Sequence, residues 1–285
     1  MSAASKTEHE DIEEIRMKER YALSTEAAER YERLFVPALF APWAQRLADL
    51  PAVAAARSLL DVACGTGVVA RTAADRMNAP ATVVGLDANP AMLAVAATLR
   101  PELTWCAGTA EALPFGGGEF DVVTCQAALM FFTDRTAALR EMGRVAGEGA
   151  VVVQVPGRLD HSAGYRALTE AAGRHAGRDV ANLLTGYFSV GEPALLEELF
   201  TKAGLTIDRF TTWQSATRLD SVDTLLAVEL LPLADVITND VRERITEQCQ
   251  QALLPFTEPS GAVAAPIEVH LIVASRHTTT AGGKQ

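Results

Sequence analysis

Between residues 57 and 156, short apolar runs alternate with stretches whose apolar residues recur every three or four positions. "RSLLDVA" (57–63), "ATVVGLD" (81–87), "ELTWC" (102–106), "EFDVVTC" (119–125) and "GAVVVQV" (149–155) are rich in β-branched or aromatic residues and bounded by Gly, Pro or Asp. That pattern predicts five short strands. Residues 68–78, 90–100 and 134–146 carry Ala, Leu, Met and Arg at helical spacing, and Pro90 stands in a first helical turn, where a missing N–H costs nothing. Strands alternating with helices predict βαβ units, a parallel sheet and right-handed crossovers.

Beyond Pro156 the rhythm changes. Residues 158–186 read as mixed helical sequence, and "EPALLEELFTKAGL" (192–205) reads as a helix with Gly204 past its end. "TIDRFTTW" (206–213) follows as a sixth strand, and a second helical insertion spans about 221–255. "IEVHLIVASR" (267–276) alternates as a last strand, with Glu268 and His270 on one face and Ile267, Val269, Leu271 and Val273 on the other. At the ends, "EHEDIEEIRMKER" (8–20) predicts a solvated helix with one docking edge at Ile12 and Ile15, and "TTTAGGKQ" a loose tail.

Composition narrows the function class. The chain has 285 residues, 49% hydrophobic and 21% charged, which suits a globular protein of one large domain or one domain with a lid. Its formal net charge of −11 comes with Lys and Arg scattered rather than striped, so the electrostatic attraction that drives nucleic-acid binding is missing. Cys64, Cys106, Cys125 and Cys249 form no C-x-x-C pair and read as free thiols of a reducing cytoplasm rather than as disulfides or a metal site. The polar, acidic N-terminus is not a signal peptide, and no apolar stretch reaches the roughly 18 residues of a membrane span. A cytoplasmic protein is expected, with no membrane, nucleic-acid or metal partner.

The candidate chemistry lies in "LLDVACGTGVVA" (59–70). Its "GTGVVA" fits the dinucleotide pattern G-x-G-x-x-A, and Asp87, at the end of the next strand, stands where a ribose-binding acid belongs. The glycines permit a tight turn and let a ligand approach bare backbone. No Lys-Ser or Lys-Thr follows, so the turn is not a P-loop. Asp61, four residues before the first glycine, would repel a pyrophosphate across a partly desolvated gap. It would attract a ligand with a cationic tail, and the ammonium and sulfonium of S-adenosylmethionine provide one. The competing explanation for Asp61 is that it caps the turn through its own side-chain oxygens.

Four stretches, "LLDVACGTGVVAR" (59–71), "VVGLDANPAMLAVA" (83–96), "AGTAEALPFGGGEFDVVTCQAALMFFTD" (107–134) and "ALREMGRVAGEGAVVVQVPG" (138–157), together resemble the class I S-adenosylmethionine-dependent methyltransferases. The likeness is to the type 11 branch, related to the ubiquinone- and menaquinone-biosynthesis methyltransferases. "AAERYERLFVPALFAPWA" (27–44) and the ending "IEVHLIVASR" extend it along most of the chain. The resemblance implies an α/β, Rossmann-like sheet of seven strands, the last antiparallel, with helices on both faces. It further implies an N-terminal helical cover (1–50) and a methyltransferase domain (51–285) with cap insertions at about 158–188 and 221–255.

Site roles follow from the same resemblance. Asp61, Ala63, Gly65 and Gly67 would surround the methionine moiety of the cofactor, Asp87 would take both ribose hydroxyls, and Ala88, Met92, Ala110 and Glu111 would border the adenine. Gln126 would sit near the reacting methyl, and the product would be S-adenosylhomocysteine. Thr109 departs from the pattern, since many relatives carry Asp there.

Methyl transfer from a sulfonium is an in-line displacement, so the protein's main task is to align the nucleophile and exclude water. A base is needed only for a protonated, weakly acidic nucleophile. His161 and Tyr165, directly after the fifth strand, are the best-placed polar candidates, with His161 as the catalytic one. Tyr21, Tyr31, Met130 and Phe131 are candidates to line an acceptor pocket with Tyr165. The two insertions are rich in Leu, Ala and Val, which predicts an apolar lid over a small hydrophobic or aromatic metabolite, or a surface covered by a second subunit as a homodimer. The competing readings are a cofactor-binding protein without turnover and an NAD(P)-dependent oxidoreductase.

Overall fold

The computed structural model describes residues 24–78, 81–230 and 237–276. Tyr21, the acidic run 8–20, residues 231–236 of the second insertion and the C-terminal tail lie outside the described residues.

Helix α1 (Thr25–Phe35) opens on Ser24, whose hydroxyl accepts from the Ala27 N–H at 3.3 Å and satisfies one of the free donors of the first turn. It runs into one π-helical turn, Val36–Phe40, and then α2 (Ala41–Ala48) and the short α3 (Pro51–Ala54). The chain next alternates β1 (Ser58–Val62), α4 (Val68–Arg76), β2 (Thr82–Asp87), α5 (Pro90–Leu99), β3 (Thr104–Ala107) and β4 (Val122–Gln126). After α6 (Arg135–Ala146) and β5 (Ala150–Pro156) come the cap helices α7 (Ala163–His175) and α8 (Arg178–Gly186), then α9 (Pro193–Lys202). The chain ends with β6 (Leu205–Leu219), the cap helices α10 (Val222–Glu229) and α11 (Asn239–Leu253), and β7 (Val263–Arg276).

One seven-stranded sheet has the order β3-β2-β1-β4-β5-β7-β6. Strands β1 to β5 pair in parallel, and β7 inserts antiparallel between β5 and β6. Of the five parallel strands, β1, β2, β4 and β5 lie inside the sheet, are buried on both faces and so read as continuous apolar runs, whereas β3, at the sheet edge, is only partly buried. The sixth strand differs from its expected span of 206–213. It continues to Leu219, because Gln214 to Leu219 pair residue by residue with Glu268 to Val263 of an equally lengthened β7. Backbone pairing extends this edge where side-chain alternation gives no signal.

Side-chain alternation sorts the core into two layers. On one face Leu60, Val62, Val123, Val153 and Ile272 pack with Leu139 and Met142 of α6 and Phe200 of α9. On the other, Leu59, Val122, Val152 and Leu271 pack with Ala44 and Leu47 of α2 and Val69 and Ala73 of α4. A third cluster joins Leu168, Leu184, Leu226, Ile245 and Leu253 of the four cap helices to Val263 and Ala265 of β7. Both insertions therefore pack into one body at the far end of the sheet.

Candidate functional site

Two non-glycine residues among those described adopt left-handed backbone, Ala63 (φ 55°) and Ala127 (φ 54°). They sit just past the carboxyl ends of β1 and β4, the edge where open α/β sheets bind ligands. Strain of this kind concentrates at functional sites. Ala127 is held by its N–H, which donates to the Gln154 carbonyl at 2.7 Å.

After β1 the chain turns through Gly65 (φ 55°) and Gly67 (φ 84°) into α4. The two glycines answer different demands. A Cβ on Gly67 would come within 2.3 Å of the Trp105 ring, which packs under the turn, whereas a Cβ on Gly65 would meet nothing within 4 Å. Gly67 makes room for protein, and Gly65 turns bare backbone toward open space.

Asp61 is 1% exposed. Its Oδ1 accepts from the Thr124 hydroxyl at 2.9 Å, and its Oδ2 accepts from the Ala70 N–H, in the first turn of α4, at 3.1 Å. The capping role is thus present in the structure. Burial, with a smaller contribution from the charge of Asp87, still pushes the Asp61 carboxyl up to about 7 against these two hydrogen bonds. Asp87 ends β2, its Oδ2 accepting from the Gly65 N–H and its Oδ1 from the Asn89 N–H, both at 2.8 Å. Burial raises its pKa as well. Tyr31 of α1 reaches the same region: burial first, then the charges of Glu32, Asp87 and Asp61, drive its phenol well above the ordinary range. Two buried carboxyl groups close enough for the charge of Asp87 to raise the pKa of Asp61 make a site that favours a positive ligand.

Past the fourth strand the character changes. Gln126, at the end of β4, donates from Nε2 to the carbonyl of Phe40 in the π-turn at 3.2 Å, which ties the N-terminal helices to the sheet edge. π-Turns inside helices recur at functional sites. Aromatic rings gather around that contact. Tyr31 lies 5.7 Å from Phe35 and 5.6 Å from Phe40, Phe40 meets Trp43 edge-on at 5.9 Å, Tyr165 meets Phe188 at 5.5 Å, and Phe131 meets Tyr187 at 5.5 Å. Trp43, Tyr165 and Phe188 share one buried cluster with Leu39, Ile267 and Val269, and Phe40, Ala127 and Tyr187 pack against it. Met130, 3% exposed, lies in the core layer beneath.

Tyr165 connects this wall to the cap. Its hydroxyl donates to Glu229 Oε1 of α10 at 2.8 Å and lies 2.7 Å from the Thr217 hydroxyl of β6. Glu229 is 5% exposed, and burial pushes its carboxyl up to about 7 despite the tyrosine's hydrogen bond.

His161 lies elsewhere. It occupies the 3-10 turn Leu159–His161 after β5, with its Nδ1 2.6 Å from Glu268 Oε2 and Arg158 Nη2 2.9 Å from both ring nitrogens. Glu268 projects from β7 on the face opposite Ile267 and Val269, so this trio clasps the β5–β7 junction away from the Tyr165 wall. His270, on the same face as Glu268, donates from Nε2 to the Gly191 carbonyl and has Nδ1 2.8 Å from the Thr212 hydroxyl, and burial lowers its pKa. It is a neutral, packed histidine.

A family profile described as "Methyltransferase domain" matches residues 60–153. The demethylmenaquinone methyltransferase of Lactococcus lactis is 32% identical over 176 residues, 56% of this chain and 68% of that protein. The chain belongs to the class I S-adenosylmethionine-dependent methyltransferases, in the type 11 branch. The demethylmenaquinone methyltransferase of Renibacterium salmoninarum is 37% identical over 111 residues, 39% of this chain and 46% of that one. The chain spans about half the length of several of the curated relatives it matches. Among solved structures, the YcgJ protein of Bacillus subtilis shares the fold, with a TM-score of 0.56 at 18% identity, covering 83% of this chain and 97% of that one.

For a methyltransferase of this class, the structure gathers Asp61, Ala63, Gly65, Asp87, Tyr31 and Gln126 around the carboxyl ends of β1, β2 and β4. Ala88 and Met92 follow β2, exposed and partly exposed. Ala110 and Glu111 follow β3, with Glu111 Oε1 accepting from the Thr133 N–H at 3.1 Å. Sequence reasoning missed Phe40, Gln154, Thr217, Glu229 and Glu268. Gln154 alone left a signal, a lone amide in the valine run of β5. No described helix is long and apolar enough to cross a membrane.

Proposed function

We propose that this chain transfers a methyl group from S-adenosylmethionine to a small apolar or aromatic acceptor, at O, N or C. The observation that carries the reading is the junction at the carboxyl edge, where a doubly carboxylate-lined glycine turn abuts an aromatic wall of Tyr31, Phe40, Trp43 and Tyr165. Family membership and the quinone-methylating names of the relatives support it.

The residues fit the cofactor. Gly65 offers backbone to open space, Gln126 Oε1 is buried with no hydrogen-bond partner among the described residues, and the charge of Asp87 bears on the buried carboxyl of Asp61. Asp87 would hold the ribose hydroxyls, Asp61 would favour the ammonium group through its field, and Ala88, Met92, Ala110 and Glu111 would border the adenine. A pyrophosphate would meet two carboxylates here, which speaks against a dinucleotide. When bound, the cofactor supplies a methyl group made electrophilic by its sulfonium.

The chain's own residues do the rest. The described N-terminal helices, 24–50, and the cap helices would close the aromatic enclosure over the acceptor, excluding water and fixing its approach. Where the acceptor must lose a proton, Glu229 acting through Tyr165 is better placed than His161, whose ring is engaged by Arg158 and Glu268. Incubation with S-adenosylmethionine and a panel of phenols, hydroquinones and amines, read as S-adenosylhomocysteine formed, tests the proposal. Turnover with a hydroxylated aromatic is expected; binding of cofactor without turnover on any acceptor would favour a non-catalytic cofactor-binding protein.

A further inference from the structure

Gln154 is completely buried in β5, and among the described residues neither its Oε1 nor its Nε2 has a hydrogen-bond partner. Its register partner on β4 is Gln126, whose Oε1 is also buried and unpartnered. Leaving three buried polar atoms unsatisfied is costly, and native proteins do so rarely unless a ligand or water meets them.

Their placement points to a ligand. Asp61 pairs in register with Thr124, Thr124 and Gln126 are two apart on β4, and Gln126 pairs with Gln154. The four therefore form a polar row on one sheet face, the face covered by α2 and the π-turn. At the Asp61 end the row satisfies itself, with Thr124 donating to Asp61. At the glutamine end, among the described residues, the one side-chain hydrogen bond is that from Gln126 Nε2 to Phe40. Phe40 and Ala127, next to Gln126, pack on the Tyr165 aromatic cluster, so the open end of the row meets the aromatic wall.

Resting on the reading above, we propose that Gln126 and Gln154 form the polar anchor of the acceptor site, selecting a neutral aromatic molecule with two adjacent oxygen functions. The free atoms comprise two acceptors and one amine group with two donors. They match a ligand that both donates from a hydroxyl and accepts at a neighbouring hydroxyl or carbonyl. Neither glutamine is charged and two of the three free atoms are acceptors, so an aromatic carboxylate would meet too few donors there to repay its desolvation. The glutamines position the acceptor and take no proton.

The test measures 2,3-dihydroxynaphthalene binding by calorimetry at saturating S-adenosylhomocysteine, with 2-naphthoate as the comparison. The wild type is set against Gln154→Met, which keeps the shape of the side chain, and Gln126→Met guards against one variant failing to fold. The expected result is a roughly tenfold or greater rise in the diol Kd in either variant. In Gln154→Met the S-adenosylhomocysteine Kd should stay within about twofold and the unliganded Tm should hold or rise by about 2 °C, and in the wild type 2-naphthoate should bind more weakly than the diol. Unchanged diol affinity in the variants, equal binding of 2-naphthoate, or a lowered Tm with the diol unaffected would overturn the anchor. So would wild-type protein that binds S-adenosylhomocysteine but not the diol, and that outcome leaves the cofactor reading standing. Failure of S-adenosylhomocysteine itself to bind removes that reading and the anchor with it.

Discussion

The two halves of the carboxyl edge are built in opposite ways. At the β1–β2 end every carboxylate oxygen of Asp61 and Asp87 already accepts a hydrogen bond from within the protein. At the β4–β5 end three amide atoms of Gln126 and Gln154 accept and donate nothing. The first half is held in shape before a ligand arrives, mostly by partners close along the chain: Gly65 is 22 residues from Asp87 and Ala70 nine from Asp61, while Thr124 reaches Asp61 across 63. The second half depends on distant segments. Gln126 reaches Phe40 across 86 residues, Tyr165 reaches Glu229 across 64, and Trp43 donates to Ser215 across 172. On the proposed reading, a braced cofactor end and an acceptor end assembled from the N-terminal helices, the sixth strand and the cap suit an enzyme whose cofactor is fixed and whose acceptor is specified by those segments.

The comparison breaks most visibly at the glycine turn. Gly67→Ala puts a methyl into the Trp105 ring at a left-handed φ, and a loss of about 3 kcal/mol or more is expected, a Tm drop of roughly 6–12 °C by calorimetry. Gly65→Ala meets only the backbone penalty, about 1–2 kcal/mol, and its larger effect should fall on S-adenosylhomocysteine affinity. Equal Tm losses in both would erase the distinction between a glycine facing protein and one facing ligand.

Glu229→Gln sharpens the acceptor end. With a proton-accepting role, kcat falls about 100-fold and the rise of kcat with pH near 7 disappears, while S-adenosylhomocysteine binding is untouched. An unchanged pH profile would leave Glu229 a structural partner of Tyr165.

A smaller effect separates the halves by pH. Asp61 and Glu229 each hold a proton more tightly folded than unfolded, with folded values of about 7 against ordinary values of 3.8 and 4.5. The folded state therefore binds the extra protons, and stability falls as pH rises through that window and levels off above about 7. The unliganded protein should be more stable at pH 5.5 than at pH 8, by on the order of 2 kcal/mol per group, and Glu229→Gln should remove its share of that slope. S-adenosylhomocysteine should flatten only the Asp61 share, releasing a fraction of a proton near pH 6.5, which calorimetry in buffers of different ionisation enthalpy detects.

The same contrast decides what the sequence could reveal. Strands buried on both faces read directly from their valines and leucines, and the glycine turn from its spacing, since both are local. The chain could not announce why Gly67 must be glycine, because Trp105 arrives from another strand. The end of β6 was hidden for a similar reason: "QSATRL" has little apolar alternation, and its partner lies in β7. His161 stood in a suggestive place after β5, yet its ring is engaged by Glu268 from 107 residues away. Glu229 carried no motif and only burial singles it out, while Gln154 left no more than a lone amide in a valine run.

Calorimetric titration of the wild type and Asp87→Ala with S-adenosylhomocysteine, alongside NADH, tests the central claim most directly. Micromolar binding of S-adenosylhomocysteine, weakened about 100-fold or more by the substitution, with no binding of NADH, is the predicted result. Binding of NADH, or of neither ligand, would contradict a cofactor site built on Asp61, Gly65 and Asp87.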